Sequence, residues 1–357
     1  GPLFYIYAIY KSINIYSFAY KITEIESTRP HKLFLCFFCS GEFTGFVQVG
    51  PKKYFFPQKY KLEAANIYNM PLRPTDVFVT SYPRSGTTWT QELVWMVAND
   101  LDYETSNAIP LTERYPFLEF YICVHPENEK RFKEENSHSE ENLKLLEFVC
   151  QRGTEQLAAV PSPRFIKSHM PLSLLPPTLL DTCKMVYVAR DPRDVAVSFY
   201  HLNRLMRTQG YTGDFKTYWN FFIKDLHHWT PYFEHLKEAW DKRDHPHMLF
   251  FFYEELSKDL PKAVRRVEKF FGKEFTNEQI DKLCDHLSID NFKNNKSVNY
   301  DGMRVLGIQK PGEQSFIRKG KAGGWRDYFD EEMTQQAERW IADNLRDTDL
   351  RFPHMEL

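Results

Sequence analysis

Four short apolar runs, at residues 77–80, 165–167, 185–189 and 248–252, constrain the fold more than any other feature of this chain. Stretches with helical character separate them. A strand that is apolar along its whole length, without alternation, is buried on both faces, as in a parallel sheet covered by helices. The sequence therefore predicts an α/β fold with a parallel central sheet flanked by helices. Ligands are expected beyond the carboxyl ends of its strands.

The segment after the first run reads Ser81-Tyr-Pro-Arg-Ser-Gly-Thr-Thr-Trp89 and leads into a helical pattern. A glycine turn before a helix N-terminus is a good site for phosphate, because backbone N–H groups point outward there. It is not a Walker A loop, since Ser81 stands where the first glycine belongs and Thr87 follows Gly86 in place of lysine. Taken alone, the segment also fits an ordinary turn between a strand and a helix.

The second run ends in Lys167-Ser168-His169. Residues two apart on a strand face the same side, so Lys167 and His169 are expected to point into one crevice. A histidine can accept a proton near neutral pH, which makes His169 a candidate general base. A structural role for a single histidine remains the alternative.

Further basic and hydroxyl groups follow the other runs. Arg190 ends the third, and Asp191 and Pro192 behind it predict a helix start, with Ser198 on that helix. Tyr253 follows the fourth run. A basic glycine-containing loop, Arg318-Lys-Gly-Lys-Ala-Gly-Gly-Trp325, precedes the final helical pattern. Together these groups predict a site for a multiply phosphorylated nucleotide.

Three of these segments carry a family resemblance. Residues 81–89 resemble the T-Y-P-K-S-G-T-T-W loop of cytosolic sulfotransferases, residues 190–198 resemble their 3′-phosphate segment, and residues 318–325 resemble their R-K-G-x-x-G-D-W signature. Lys167-Ser168-His169 matches their K-T-H. Residues 64–79 and 324–333 are similar to the retinol dehydratase-like members. The resemblance covers roughly residues 45–345 in the same order, and it implies a P-loop-like nucleotide-binding fold.

The resemblance also implies a reaction and a set of roles. The enzyme would transfer a sulfonate group from 3′-phosphoadenosine 5′-phosphosulfate (PAPS) to a hydroxyl of a small apolar acceptor, leaving 3′-phosphoadenosine 5′-phosphate (PAP), with no metal. His169 would be the base, with Lys167, Arg84 and Ser198 also catalytic. The residues that would bind the nucleotide are Arg84, Ser85, Gly86, Thr87, Thr88, Trp89, Arg190, Ser198, Tyr253, Ser288, Ile289, Arg318, Lys319 and Gly320.

The chain departs from the family pattern at several positions. Arg84 replaces a lysine, which keeps the charge but makes proton donation to the leaving oxygen less plausible. Leu287-Ser288-Ile289 stands where the family often has T-S-F, and Gly324 replaces an aspartate. Residues 326–335 differ from the family's dimerisation stretch, so the oligomeric state is not predicted.

Composition limits the other possibilities. The formal net charge of -2 does not favour nucleic acid as a partner. The six cysteines are scattered, and Cys36-x-x-Cys39 has no second pair, which favours apolar packing over a redox or zinc site. We interpret residues 1–43 as an N-terminal extension outside the site and residues 44–357 as one domain. No membrane span is predicted, and the resemblance implies a cytoplasmic enzyme.

Two rival functions remain. A P-loop kinase or NTPase would need the missing Gly-Lys-Ser/Thr, and a non-catalytic binding module would not need His169.

If the chain is a sulfotransferase, the product is either a sulfate ester or, for an allylic alcohol, the product of a following elimination. The acceptor is a phenol, a steroid-like alcohol or an isoprenoid or retinol-like alcohol. Aromatic residues at 115–121 and 199–201 could line its pocket or pack in the core.

Three further segments carry structural expectations. The charged stretch at 127–141 is expected to be a solvated loop with a helix start, and residues 291–312 a long loop of the kind that often forms a lid. Met333, Ala337, Trp340 and Ile341 fall on one helical face and are expected to pack in the core. No strand or helix pattern is recognised before residue 44.

Overall fold

The computed structural model describes residues 18–25, 37–38, 41–312 and 322–355. The strands in these ranges are β1 Ile22–Glu24, β2 Phe46–Val49, β3 Tyr54–Pro57, β4 Val77–Thr80, β5 Phe165–Ser168, β6 Lys184–Ala189 and β7 Met248–Phe252. The α-helices are α1 Ala64–Tyr68, α2 Thr87–Ala98, α3 Tyr103–Ala108, α4 Leu111–Arg114, α5 Pro126–Glu135, α6 Glu140–Cys150, α7 Gly153–Ala159, α8 Leu179–Thr182, α9 Pro192–Leu205, α10 Phe215–Ile223, α11 Tyr232–Trp240, α12 Tyr253–Lys258, α13 Leu260–Phe270, α14 Asn277–His286, α15 Ile289–Asn294, α16 Asp301–Val305 and α17 Glu331–Leu345. Short 3₁₀ helices cover Gln58–Leu62, Phe120–Cys123, Leu172–Leu174 and Gly324–Asp327.

The four predicted apolar runs form one parallel sheet with strand order β5-β4-β6-β7, which confirms the predicted fold class. Alternate residues of β4 enter different cores: Phe78 packs in one hydrophobic cluster, and Val77 and Val79 pack in another. Because both faces of the strand are buried, both sets of side chains must be apolar.

The register of the sheet positions the site. Thr80 at the end of β4 pairs with Ser168 at the end of β5 and with Tyr187 of β6. The chain therefore leaves the strands along one edge, and the residues that follow β4, β5, β6 and β7 are Ser81, His169, Arg190 and Tyr253. These are the segments that carry the sequence motifs, so the predicted convergence has a structural basis.

The helix after β6 begins as its sequence predicts. The Asp191 side chain accepts a hydrogen bond from the backbone N–H of Arg193 at 2.9 Å, and Pro192 is the first helical residue of α9. The final helix, α17, buries Met333, Ala337 and Ile341, with Trp340 packed against the same core. Local capping and apolar spacing were sufficient to predict both elements.

Two segments differ from expectation. The charged stretch at 127–141, predicted to be a solvated loop with a helix start, lies mostly in α5, with His125 as N-cap, Pro126 in the first turn and a buried Phe132. Its last two residues begin α6, so the predicted helix start is present. Residues 291–312 contain the end of α15 and all of α16, with Leu306 and Ile308 buried. The apolar residues of α5 and of this segment meet in a small separate core, so their helical structure depends on tertiary contacts that periodicity does not reveal.

The residues before 44 also contain ordered structure. Ile22–Glu24 pair antiparallel with β2, which in turn pairs with β3, in a second sheet of order β1-β2-β3. Phe38 is fully buried and packs against Phe46 and Tyr211. The sequence showed no strand pattern before residue 44, because three residues are too few to form one. The domain boundary at 44 stays a prediction, and Cys36 and Cys39 lie outside the described residues.

Candidate active site

The loop between β4 and α2 is a tight turn in left-handed backbone conformation. Arg84 has φ +68° and Gly86 has φ +97°. A Cβ on Gly86 would lie 2.6 Å from a ring carbon of Tyr253, so a side chain would clash with the residue that follows β7. Only glycine satisfies both the backbone conformation and this close approach. The glycine therefore lets the turn come against the end of the neighbouring strand.

The start of α2 presents hydrogen-bond donors to the same edge. The first intrahelical bond of α2 runs from the N–H of Thr90 to the carbonyl of Gly86, at 3.0 Å, so the amides just before it have no intrahelical acceptor. Gly86, Thr87 and Thr88 line the cavity beyond the strand ends. Ser85 is buried, and its hydroxyl has no hydrogen-bond partner among the described residues. This arrangement fits an anionic group such as a phosphate.

His169 lies in the same cavity, with its ring between Phe117 and Trp229, at centroid distances of 5.2 and 5.8 Å. Its Nδ1 is 2.9 Å from the backbone carbonyl oxygen of Ser81. A carbonyl can only accept, so Nδ1 carries the proton and Nε2 of the neutral ring is left as an acceptor. Burial, and next the charge of Lys167, hold the pKa of His169 well below its usual value. The imidazole is therefore neutral at pH 7 and able to take a proton.

The backbone of His169 is held from both sides. Its N–H donates to the carboxylate of Glu119, which also accepts from the hydroxyl of Ser168 at 2.9 Å. Its carbonyl accepts from Nε2 of His235 at 2.7 Å. Glu119 is fully buried, and that burial raises its pKa to about 7. Glu119 is thus a positioning residue behind the candidate base.

The raised pKa of Glu119 predicts how Glu119→Gln changes the pH dependence of stability. The unfolded carboxyl has a pKa of about 4.3, so between that value and about 7 the folded protein binds the additional proton. The contribution of Glu119 to the stability of the wild type must then fall as pH rises through this window. Glutamine does not titrate. The free energy of unfolding of wild type minus that of Glu119→Gln, from urea titrations, should therefore decrease from about pH 5 to about pH 7. A difference that stays constant or rises would contradict the assigned direction.

Four cationic or hydroxyl side chains line the basic side of the cavity. Nε of Arg84 donates to the hydroxyl of Ser198 at 3.0 Å, which joins the β4 loop to α9. Arg190 donates to the backbone carbonyl of Arg84 at 3.0 Å, and its guanidinium lies 4.2 Å from the ring centroid of Tyr253. Lys167 and Ser198 are largely buried at the cavity wall. The arrangement concentrates positive charge where an anion would bind.

Trp89 lines the cavity on the side of α14 and α15. Its indole N–H donates to the carbonyl of Leu287 at 2.9 Å, and its ring makes an edge contact with Tyr253 at 5.9 Å. Ile289 also lines the cavity. Ser288 does not line it and instead caps α15, accepting from the N–H of Asn291 at 3.4 Å. A direct contact of Ser288 with the nucleotide stays a prediction.

The C-terminal motif reaches the same edge through Asp194 of α9. Its carboxylate accepts from the backbone N–H groups of Gly323 and Trp325, at 2.7 and 3.0 Å. The guanidinium of Arg193 lies 4.0 Å from the ring of Trp325. Asp194 itself lines the cavity, although sequence reasoning did not select it. Arg318, Lys319 and Gly320, which were predicted to bind the 3′-phosphate, lie outside the described residues.

The rest of the cavity is largely apolar. Of the aromatic residues left open between pocket and core, Tyr115, Phe117, Phe120 and Phe199 line the cavity, whereas Tyr121, Tyr200 and His201 do not. Sequence reasoning missed other lining residues, namely Thr112, Cys123, Phe148, Val149, Gln156, Leu202, Met206, Gln209, Trp229, Tyr300, Met303, Gln309 and Tyr328. They come from α4, α6, α7 and α9, from the 3₁₀ helix Phe120–Cys123, from the segment at 291–312 and from several loops, so no local pattern links them. Of these apolar residues, Phe117 contacts both Lys167, at 4.5 Å from its Nζ to the ring centroid, and the ring of His169.

Two kinds of feature are absent from the described part of the chain. Within it, no group of three or more His, Cys, Asp or Glu residues is arranged to hold a metal ion. None of its helices has the length and apolar character needed to cross a bilayer.

Comparison with known proteins agrees with this geometry. The family model "Sulfotransferase domain" matches residues 74–349. Luciferin sulfotransferase of Photinus pyralis is 32% identical over 336 residues, covering 91% of this chain and 86% of the relative. Sulfotransferase 1B1 of Mus musculus is 31% identical over 280 residues, covering 78% and 85%.

Solved structures extend the comparison to the fold. Retinol dehydratase in a complex with retinol and PAP superposes with a TM-score of 0.88 at 51% identity, covering 94% of this chain and 99% of that one. Its complex with androsterone and inactive cofactor PAP gives the same TM-score at 50% identity. A mouse sulfotransferase complexed with PAP has a TM-score of 0.60 at 22% identity and shares the fold.

Proposed function

Because this chain belongs to the sulfotransferase family, and is an enzyme that uses PAPS to transfer a sulfonate group to a hydroxyl, we propose that its acceptor is an apolar alcohol or phenol bound in front of His169. One observation carries the proposal: aromatic residues of the cavity wall contact the two candidate residues, with Phe117 beside both Lys167 and His169 and Trp229 beside His169. An apolar acceptor lying along that wall would present its hydroxyl to the base.

His169 is assigned as the general base. Its neutral ring, with the proton on Nδ1 bonded to Ser81, leaves Nε2 to take the proton of the acceptor hydroxyl. In the reaction the acceptor oxygen bonds to sulfur, and the bond between sulfur and the phosphate oxygen breaks. The electron pair of that bond stays on the phosphate, and the acceptor's proton goes to His169. Burial and Lys167 lower the pKa of His169, so the ring is unprotonated at pH 7, as a base must be before it accepts a proton.

The cationic side chains are assigned to the negative charge that develops during transfer. Arg84 and Ser198 would hold the leaving phosphate, and Lys167 would hold the sulfonate. Arg84 and Ser198 are joined by a hydrogen bond of 3.0 Å. Fixed donors and charges in a buried site stabilise such a transition state, because they need little reorganisation. The amides at the start of α2 would bind the 5′-phosphate in the same way.

The remaining nucleotide contacts follow from the cavity wall. Trp89 and Tyr253 would pack against the adenine, with Ile289 on the same side. The residues that would bind the 3′-phosphate are Arg190, Ser198, Arg318, Lys319 and Gly320. The hydrogen bonds from Gly323 and Trp325 to Asp194 support this assignment, because they fix the end of the basic loop beside the start of α9.

A second outcome of the reaction has support of its own. The 51% identity to retinol dehydratase, over nearly the whole of both chains, favours a retinol-like allylic alcohol as acceptor. With such an acceptor the sulfate ester would lose sulfate and a proton, and a new carbon–carbon double bond would form. The sulfate ester is then an intermediate, not the product.

An acceptor screen with PAPS tests both forms of the proposal. Phenols, steroid alcohols and retinol-like alcohols would each be incubated with the enzyme, and the products identified by mass. Transfer alone gives the acceptor plus a sulfonate group, whereas elimination gives the acceptor minus water together with inorganic sulfate. PAP formation without either product, or turnover with none of these acceptors, would overturn the acceptor assignment.

The cellular setting is a further proposal. A cytoplasmic location is supported by the resemblance to cytosolic sulfotransferases, and it would be checked by fractionation.

A further inference from the structure

Tyr300 has an unfavourable backbone conformation at the edge of the cavity. It precedes α16 in left-handed backbone conformation, with φ +60° and ψ +30°, which a residue with a Cβ rarely adopts. Its side chain lines the cavity beside the candidate site. Strained residues of this kind persist where the surrounding structure holds them, and they are concentrated at functional sites. The role of the side chain must therefore be sought in what it contacts.

Two of its contacts belong to the transfer machinery. The hydroxyl of Tyr300 lies 3.4 Å from Nζ of Lys167 and 3.5 Å from the hydroxyl of Thr88 at the start of α2. Nζ of Lys167 also lies 5.5 Å from the ring centroid of Tyr300 and 4.5 Å from that of Phe117. Tyr300 thus links the strand that carries Lys167 to the helix that would bind the 5′-phosphate.

The lengths of these contacts suggest a shared ligand. Both are longer than a well-formed hydrogen bond, which spans about 2.7–3.2 Å. Donors that surround one oxygen at about 2.8 Å are themselves separated by roughly 3.4 Å or more. Lys167, Thr88 and Tyr300 each carry a donor, and the two separations from the Tyr300 hydroxyl fit donors that share one negatively charged oxygen.

We propose that the Tyr300 hydroxyl is a catalytic hydrogen-bond donor to the sulfonate group during its transfer. With Lys167 and Thr88 it forms a pocket for one sulfonate oxygen. The proposal rests on the proposed function, which brings the sulfonate to Lys167. Tyr300 keeps its proton throughout, while the acceptor's proton goes to His169. Its hydrogen bond strengthens as charge builds on the sulfonate oxygens between the phosphate and the acceptor.

Tyr300→Phe tests this proposal, because phenylalanine keeps the ring and removes only the hydroxyl. Loss of one such donor should lower the single-turnover rate at saturating PAPS and acceptor by about 10²–10³-fold. Affinity for PAP, measured by calorimetry, should change by no more than about twofold, because PAP lacks the sulfonate. The acceptor KM should also stay close to that of the wild type.

The matched control is Tyr103→Phe. Tyr103 does not line the cavity, and its buried hydroxyl has no hydrogen-bond partner among the described residues. Its removal should leave the rate unchanged. A folded Tyr300→Phe variant with a normal single-turnover rate would overturn the proposal. A raised acceptor KM at an unchanged rate would do so as well, since it would make Tyr300 part of the acceptor wall only.

A third variant separates this proposal from the proposed function. If His169→Ala is impaired and Tyr300→Phe is not, the donor role alone is lost. If both variants turn over normally, the site itself has been assigned wrongly.

Discussion

His169→Ala is expected to lower turnover by about 10²–10⁴-fold, the usual contribution of a general base. Nδ1 of His169 is hydrogen-bonded to the carbonyl of Ser81, and burial and Lys167 keep the ring neutral. Hydrogen bonds with Glu119 and His235 fix its backbone. Alanine removes Nε2 while leaving both backbone contacts possible. PAP affinity should be nearly unchanged, because His169 is not assigned to a phosphate.

Single-turnover rates with PAPS and a productive acceptor provide the measurement. His138→Ala, a substitution of an exposed histidine, is the control and should behave as wild type. Added imidazole should restore part of the activity of His169→Ala, because the cavity left by the ring faces the acceptor. A folded variant with near-normal turnover would leave His169 with a structural role, and the base would have to be another group.

PAP is expected to bind about 10²–10⁴-fold more tightly than AMP. Each charge-assisted contact to the 3′-phosphate contributes on the order of 1.5–3 kcal/mol, and about 1.4 kcal/mol corresponds to a tenfold change in affinity. Two such contacts, from Arg190 at the end of β6 and from the basic loop at 318–320, are sufficient for this difference. The two nucleotides differ only in that phosphate, so calorimetry on the same protein isolates it.

Variants in the basic loop sharpen the test. Arg318→Ala and Lys319→Ala should each weaken PAP binding by roughly 10–100-fold and leave AMP binding unchanged. Lys144→Ala, which removes an exposed charge from α6, should affect neither. Equal affinity of the wild type for PAP and AMP would contradict the assignment of the 3′-phosphate site.

The sequence alone determined the central sheet and the motifs at its edge. Continuous apolar runs can be satisfied only by strands buried on both faces, and β4 to β7 follow the predicted runs to within one residue. The chain order of parallel strands then brings Arg84, His169, Arg190 and Tyr253 to one edge. These groups are local in sequence and stand directly after strands, so pattern and spacing were enough to select them.

Only the tertiary structure decided the remainder of the site. Tyr300 and Asp194 contact residues more than 100 positions away in sequence. Nothing in the local context of Tyr300 indicates its contact, and the 190–198 segment does not reveal that Asp194 holds Gly323 and Trp325. The same holds for β1 and for α5, which are held by pairing with β2 and by a small core shared with residues 306 and 308. A short or highly charged segment has little structural preference of its own, so its conformation and its contacts are set by the residues that the fold brings against it.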